Sequence, residues 1–115
     1  MVNNVQNLDA VFSALSDPTR RNIVERLARG PLTVGQIAAN CSISQPAISK
    51  HVRILEESGL LRRQVAGRVH HCHLSPDAIE VAAGWIETQR RFWNAALDRL
   101  DIVLAQNSQG KKKRK

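Results

Sequence analysis

The sequence predicts a mainly α fold carrying one small β-hairpin, and three observations predict it. Apolar residues recur at helical spacing across residues 8–58 and again from residue 76 onward. Between those stretches, residues 62–74 change to strand-like runs around Ala66-Gly67-Arg68, a short Gly-containing connection of the kind that joins a hairpin. Capping residues, Pro and Gly punctuate the helices at their expected ends.

Each element follows in order. Leu8, Val11, Phe12 and Leu15 share one helical face and predict a first short helix. Asp17-Pro18 then restarts the chain, because Asp caps a helix well and Pro is tolerated at its first position. Ile23, Val24 and Leu27 give that helix an apolar stripe, with Arg20, Arg21 and Arg26 mostly outside it, and Gly30-Pro31 ends it. Thr33 and Gln36 match a capping box opening a third helix through Ile37 and Ala38. Cys41-Ser42-Ile43 is long enough only for a turn. Ser44 caps a fourth helix, 44–58, with Pro46 in its first turn. Ala47, Ile48, Val52 and Leu55 line its inner face and Gly59 stops it. Strands 62–65 and 69–74 follow. Ser75-Pro76 caps and opens a long last helix reaching about residue 106, with Ile79, Ala82, Ala83, Ile86, Leu97, Leu100, Val103 and Leu104 at apolar positions. Residues 108–115 hold no apolar side chain and are expected to form a disordered basic tail, leaving 1–107 as one domain. Helices, a helix–turn–helix, a two-stranded ribbon and a closing helix make a winged helix–turn–helix.

Bulk properties narrow the possibilities. A chain of 115 residues buries only a modest core, so an oligomer is a natural expectation. Hydrophobic content of 43% and charged content of 23% are ordinary for a folded domain. No apolar run approaches the ~20 residues that span a bilayer, and the first residues lack a basic then apolar signal. The expected location is cytoplasmic, with no membrane partner. Cys41 and Cys72 form no spaced pair and read as reduced, small buried hydrophobes. No nucleophile–base arrangement, paired acids or phosphate loop is present, so an enzyme is not expected; Asp9, Asp17 and the other carboxylates read as caps and helix-surface charges.

The net charge of +7 is unevenly spread. Lys111 to Lys115 carry five of these charges, and another five basic residues lie between Lys50 and Arg68 against only Glu56 and Glu57. Such clustering suits a polyanion, although a solvated surface reads the same way. On the fourth helix the positions the core does not use are Gln45, Ser49, Lys50 and Arg53, with Pro46 beside them. A Gln amide matches the donor and acceptor of adenine, while Lys and Arg suit guanine edges or phosphates. His51 lies between the two faces, open to packing or to a phosphate. On the ribbon, Arg62, Arg63 and Arg68 suit an adjacent minor groove, and equally suit protection of a strand edge. The expected partner is double-stranded DNA, with helix 44–58 in the major groove and wing 62–73 along the minor groove. The terminal lysines would add phosphate attraction that does not read sequence, or do nothing.

Three segments carry a family likeness: LSDPTRRNIVERLARGPLTVGQIA, SISQPAISKHVRILEESGLLRRQVAGR and LSPDAIEVAAGWIETQRRFWNAALDRLDIVL. With them the chain resembles the ArsR (ArsR/SmtB) family of bacterial winged-helix repressors over nearly all of residues 8–104. The third segment, with Trp85, Phe92 and Trp93, looks like a subgroup often lacking the family's metal sites. The resemblance implies a homodimer that binds a partly palindromic operator, blocks transcription and dimerises through its first and last helices. Leu8, Val11, Phe12, Leu15, Ile86, Trp93, Leu97, Leu100 and Leu104 are the interface candidates on those helices. Trp85, Phe92 and Trp93 fill either the core or the dimer seam, with a ligand pocket as a further reading.

The family's known sensing sites are not matched. Its thiolate site uses a Cys-x-Cys pair on the third helix, where residues 34–41 hold one Cys; its last-helix site uses Asp and His pairs, and residues 76–106 contain no His. His70, His71, Cys72 and His73 are zinc-competent side chains, but alternation lets one strand present only two to a face where structural zinc takes four. No metal and no cofactor is therefore expected, and the small-molecule effector is unknown. Three other classes stay open: a nonspecific nucleic-acid-coating protein, a metal-responsive sensor using the wing His and Cys residues, and a winged-helix module that binds proteins.

Overall fold

In the computed structural model, which describes residues 2–113 and the side chains of 8–108, the helix starts read from Asp17, Thr33 and Ser44 stand where those caps place them. After α1 (Val2–Ala14), α2 (Pro18–Leu27) opens with the Asp17 carboxylate accepting the Arg20 N–H at 3.0 Å. α3 (Val34–Ala39) opens with the full capping box: Thr33 Oγ1 accepts from the Gln36 N–H at 3.1 Å and Gln36 Oε1 accepts from the Thr33 N–H at 2.8 Å. α4 (Gln45–Glu57) opens with Ser44 Oγ accepting from the Ala47 N–H at 3.4 Å and carries Pro46 in its first turn, where a missing N–H breaks no bond.

The end of α4 is closed just as locally. The Leu60 N–H reaches the Leu55 carbonyl and the Gly59 N–H the Glu56 carbonyl, both at 3.1 Å. This is the Schellman pairing, and it needs a left-handed residue between, supplied by Gly59 at φ +85°. The closure buries Leu60 and Leu61 and aims the chain into β2 (Leu61–Ala66), which pairs antiparallel with β3 (Val69–Leu74). Gly67 and Arg68 form the two-residue loop between them. Gly67 has φ +64° and Arg68 does not enter the left-handed region, the pattern of a type II′ turn with Gly first.

The ribbon is not two-stranded. Leu32–Thr33 forms a short strand, β1, whose residues pair with Cys72 and His71, so the sheet order is β1-β3-β2. A strand of two residues has no period to read, and its neighbours Pro31 and the Thr33 cap had marked the segment as a connection.

The chain divides into two compact units, Met1–Ala82 and Ala83–Lys115. The first holds a core of Val11, Ala14, Ile23, Leu27, Ile37, Ile48, Val52, Leu55, Leu60, Leu61 and Cys72, closed by Ala78 and Ala82 from the start of α5 (Pro76–Lys113). α4 is its centre, packed against α1, α2, α3 and β2. Val11, expected at a dimer interface, is 0% exposed and belongs to this core, because α1 turns that face onto its own chain. The second unit is the remainder of α5, one helix with no core of its own: none of its described side chains is buried. Glu87 pairs along the helix with Arg90 at 2.9 Å and with Arg91 at 3.4 Å.

This division lies inside α5, apart from the expected domain boundary at residue 107. The tail expected to be disordered from 108 is helical as far as Lys113. Ser, Gln and Lys tolerate a helix, a lone Gly costs it about 1 kcal/mol, and lysines suit its C-terminal dipole. Arg114 and Lys115 lie outside the described residues.

Asp17 makes the fold sensitive to acid. The Arg20 N–H it accepts, aided by the charges of His51 and Arg20, outweighs partial desolvation and holds its carboxyl below the usual carboxylate range. A lowered folded-state value means stabilisation present above the unfolded value and lost as pH falls through the folded one. The difference in thermal midpoint between the wild type and Asp17→Ala is therefore expected to shrink from about pH 7 to about pH 3. A difference independent of pH would remove the carboxylate's charge from the account.

Candidate nucleic-acid interface

α4 is sharply two-sided. Ile48, Val52 and Leu55 are buried, whereas Gln45, Pro46, Ser49, Lys50 and Arg53 are all exposed. The helix is thus gripped through one face and leaves a row of amide, hydroxyl and cationic groups in solvent on the other. His51, at the border, is half-buried: its Nδ1 lies 3.3 Å from Arg20 Nη1 and 3.9 Å from Asp17 Oδ2. Arg20 Nε also donates to the Ala14 carbonyl at 2.7 Å, so this cluster ties α1, α2 and α4 together. α3 is tied to α2 by Arg26, whose guanidinium donates to the carbonyls of Ile37 at 3.0 Å and Gln36 at 3.1 Å. Nothing in the sequence pattern distinguished Arg20 and Arg26 from ordinary surface cations.

The wing separates its arginines by strand alternation. Leu61, Arg63 and Val65 share a face with Leu74, Cys72 and His70, and this face carries the buried Leu61 and Cys72. Arg62, Gln64 and Ala66 share the other with His73, His71 and Val69. Arg62 and Arg63, grouped in the sequence as one basic patch, therefore point opposite ways. Arg62 and the loop residue Arg68 are exposed. Arg63 is only 24% exposed, with Nη2 3.2 Å from Glu56 Oε1 and Nη1 3.3 Å from His70 Nδ1. Arg63 is thus tied to Glu56 and His70 of its own chain, unlike Arg62 and Arg68, which stand in solvent.

A groove runs between the first half of α4 and the hairpin, lined by Gln45, Ser49, Arg63, Arg68 and His70 together with Val69 and residues 33–35. Gln45, Ser49 and Arg68 are brought together there. Lys50 and Arg53 stand on the exposed side of α4 outside it, and Arg62 lines a second hollow with Arg63, Gln64, His73 and Leu74.

The interface candidates fall in different settings. Leu8 and Leu15 are half-buried in the first unit, and Phe12 is over a third exposed. On α5, Ile86, Leu97, Leu100 and Leu104 are about half exposed and Trp93 is 63% exposed. Trp85 and Phe92 are also exposed rather than core, and the Phe92 and Trp93 rings meet edge to face at 6.3 Å. Residues 86, 93, 97, 100 and 104 repeat at alternating steps of three, four or seven, the spacing of a coiled-coil seam.

His70 shares a wing face with Cys72, and His71 shares the other with His73. Among the described residues no group of three or more His, Cys, Asp or Glu is placed to hold a metal ion. Burial pushes the Cys72 thiol up, more than the neighbouring Arg63 draws it down, so it is a thiol rather than a thiolate. Cys41 is half-exposed. A thiol reagent added to the folded protein is expected to label Cys41 quickly and Cys72 only on unfolding, as read by mass spectrometry of the peptides. Rapid double labelling would contradict the burial of Cys72.

Comparison with known proteins accords with this geometry. A helix–turn–helix domain profile matches residues 15–64. The HTH-type transcriptional regulator Rv2034 of Mycobacterium tuberculosis is 39% identical over 89 residues, spanning 77% of this chain and 80% of its own. The transcriptional repressor SdpR of Bacillus subtilis is 34% identical over 79 residues, spanning 69% of this chain and 88% of its own. The crystal structure of an ArsR family transcriptional regulator superposes with a TM-score of 0.72 at 36% identity, over 77% of this chain and 92% of that one.

Proposed function

We propose a function from one premise: the chain belongs to the ArsR/SmtB family of winged helix–turn–helix transcriptional regulators. It is a DNA-binding regulator and not an enzyme. In the finer reading, it is a homodimeric repressor of its own or a neighbouring operon that recognises a partly palindromic operator. Gln45 and Ser49 reach base edges from the first turns of α4 in the major groove, with Lys50 and Arg53 on bases or phosphates. Arg68, at the hairpin tip, lies along the minor groove, where narrow stretches concentrate negative potential. Arg62 adds charge on the outer wing face.

The observation that carries this reading is the exposed polar face of α4 sharing a groove with the hairpin arginine. Dimerisation is supported by the half-exposed seam of Ile86, Trp93, Leu97, Leu100 and Leu104 on a helix that has no core of its own. Leu8, Phe12 and Leu15 of α1 are the further interface residues. Twofold pairing would set two α4 helices about 34 Å apart, one helical turn of DNA. No helix of the described residues is long and apolar enough to cross a membrane.

The test is a fluorescence-anisotropy titration against the DNA upstream of the chain's own coding region and against a scrambled duplex. The operator is expected to bind tighter, and equal affinity rejects specific recognition. Gln45→Ala is expected to weaken operator binding by about 1–3 kcal/mol and relax preference at one base pair per half-site. Arg68→Ala is expected to lower the slope of log affinity against log salt by about one per bound subunit, with the larger loss on duplexes whose minor groove is narrow at the wing.

A further inference from the structure

Arg63 is a charged side chain on the face of the ribbon that carries the buried Leu61 and Cys72. Its two terminal nitrogens are engaged in different directions. Nη2 meets Glu56 Oε1 at 3.2 Å, on the last turn of α4, and Nη1 meets His70 Nδ1 at 3.3 Å, on the strand returning from the loop. Arginine only donates, so His70 presents the lone pair of Nδ1 in this contact. Arg63 Nε is buried with no hydrogen-bond partner. A planar, rigid fork held this way fixes an angle, which a lysine with one mobile ammonium does not.

These contacts join three elements: the end of α4, β2 and β3. We propose that Arg63 is a positioning residue that braces the hairpin against α4, so that Arg68 and the exposed face of α4 meet one duplex at a set angle. Glu56 and His70 are the two anchors of that brace. The inference rests on the reading of α4 and the hairpin as the DNA-binding surface, and it gives Arg63 a role other than neutralising a phosphate.

The two roles differ in sign when Glu56 is changed. Glu56→Gln removes a negative charge from α4, and charge alone makes binding to a polyanion tighter. The brace makes it weaker: about two- to fivefold against the operator, the scale of one partly exposed ion pair. Glu57→Gln removes the same charge without touching Arg63 and is expected not to weaken binding. Arg63→Lys keeps the charge and loses the fork, and is expected to behave like Glu56→Gln. Hydroxyl-radical footprints of both weakened variants are expected to lose protection on the wing-side flanks and keep it in the major groove.

A second measurement needs no DNA. Amide hydrogen exchange over residues 64–70 is expected to quicken in Glu56→Gln and in Arg63→Lys while that of α4 stays as in the wild type. The brace is overturned if Glu56→Gln binds the operator as tightly as the wild type or tighter, or if hairpin exchange is unchanged. If the wild type itself fails to discriminate its operator, the functional reading falls, and the exchange result alone decides whether Arg63 braces the hairpin.

Discussion

The whole arrangement depends on how α4 is held. Ile48, Val52 and Leu55, spaced by four and three residues, lie wholly inside the core, and full burial of each such side chain is worth roughly 1.5–3 kcal/mol. α1, α2, α3 and β2 all pack against this helix. Burial is strong but has no direction, so by itself it would let the helix slide or rotate. The Ser44 cap and the Schellman closure at Gly59 fix where the helix begins and ends. With the stripe inward, Gln45, Ser49, Lys50 and Arg53 have only one side left to occupy, and that side is solvent.

Polar clusters then supply the angles that burial does not. Asp17, Arg20 and His51 tie α4 to the α1–α2 corner, and Glu56, Arg63 and His70 tie it to the ribbon. Each cluster is partly exposed, so its contribution to stability is small beside the core. Its value lies in geometry, because hydrogen bonds to a guanidinium have preferred directions. At the ribbon's base the Ser75 N–H donates to the Leu60 carbonyl at 2.8 Å, joining the end of β3 to the start of β2.

What was legible in the sequence was what is local or periodic. Caps act within four residues, so Asp17, Thr33 and Ser44 could be read directly, and the α4 stripe follows from the helical period. The faces of Arg62 and Arg63 were legible too: the alternation that separates His70 from His71 separates them as well, yet adjacency in sequence suggested one patch. β1 was beyond reading, since two residues carry no pattern and their pairing with Cys72 and His71 is made across about forty positions of chain. Val11 marks a different limit. An apolar position announces that it will be covered, not whether its own chain or a second one covers it. The extension of α5 to Lys113 was hidden because a polar, lysine-rich run suits a solvated helix end as well as an unstructured tail.

The hairpin loop also has an evolutionary side. With two residues between the strands and the left-handed position taken by Gly67, a side chain at 67 would strain the turn, whereas position 68 is free to vary. The pairing runs unbroken to Ala66 and Val69, so lengthening the loop would change its reach and unsettle the pairing together. Retuning of this tip by natural variation is thus funnelled through one codon, and related proteins that preserve the glycine should differ there by exchanging arginine for another residue rather than by inserting one.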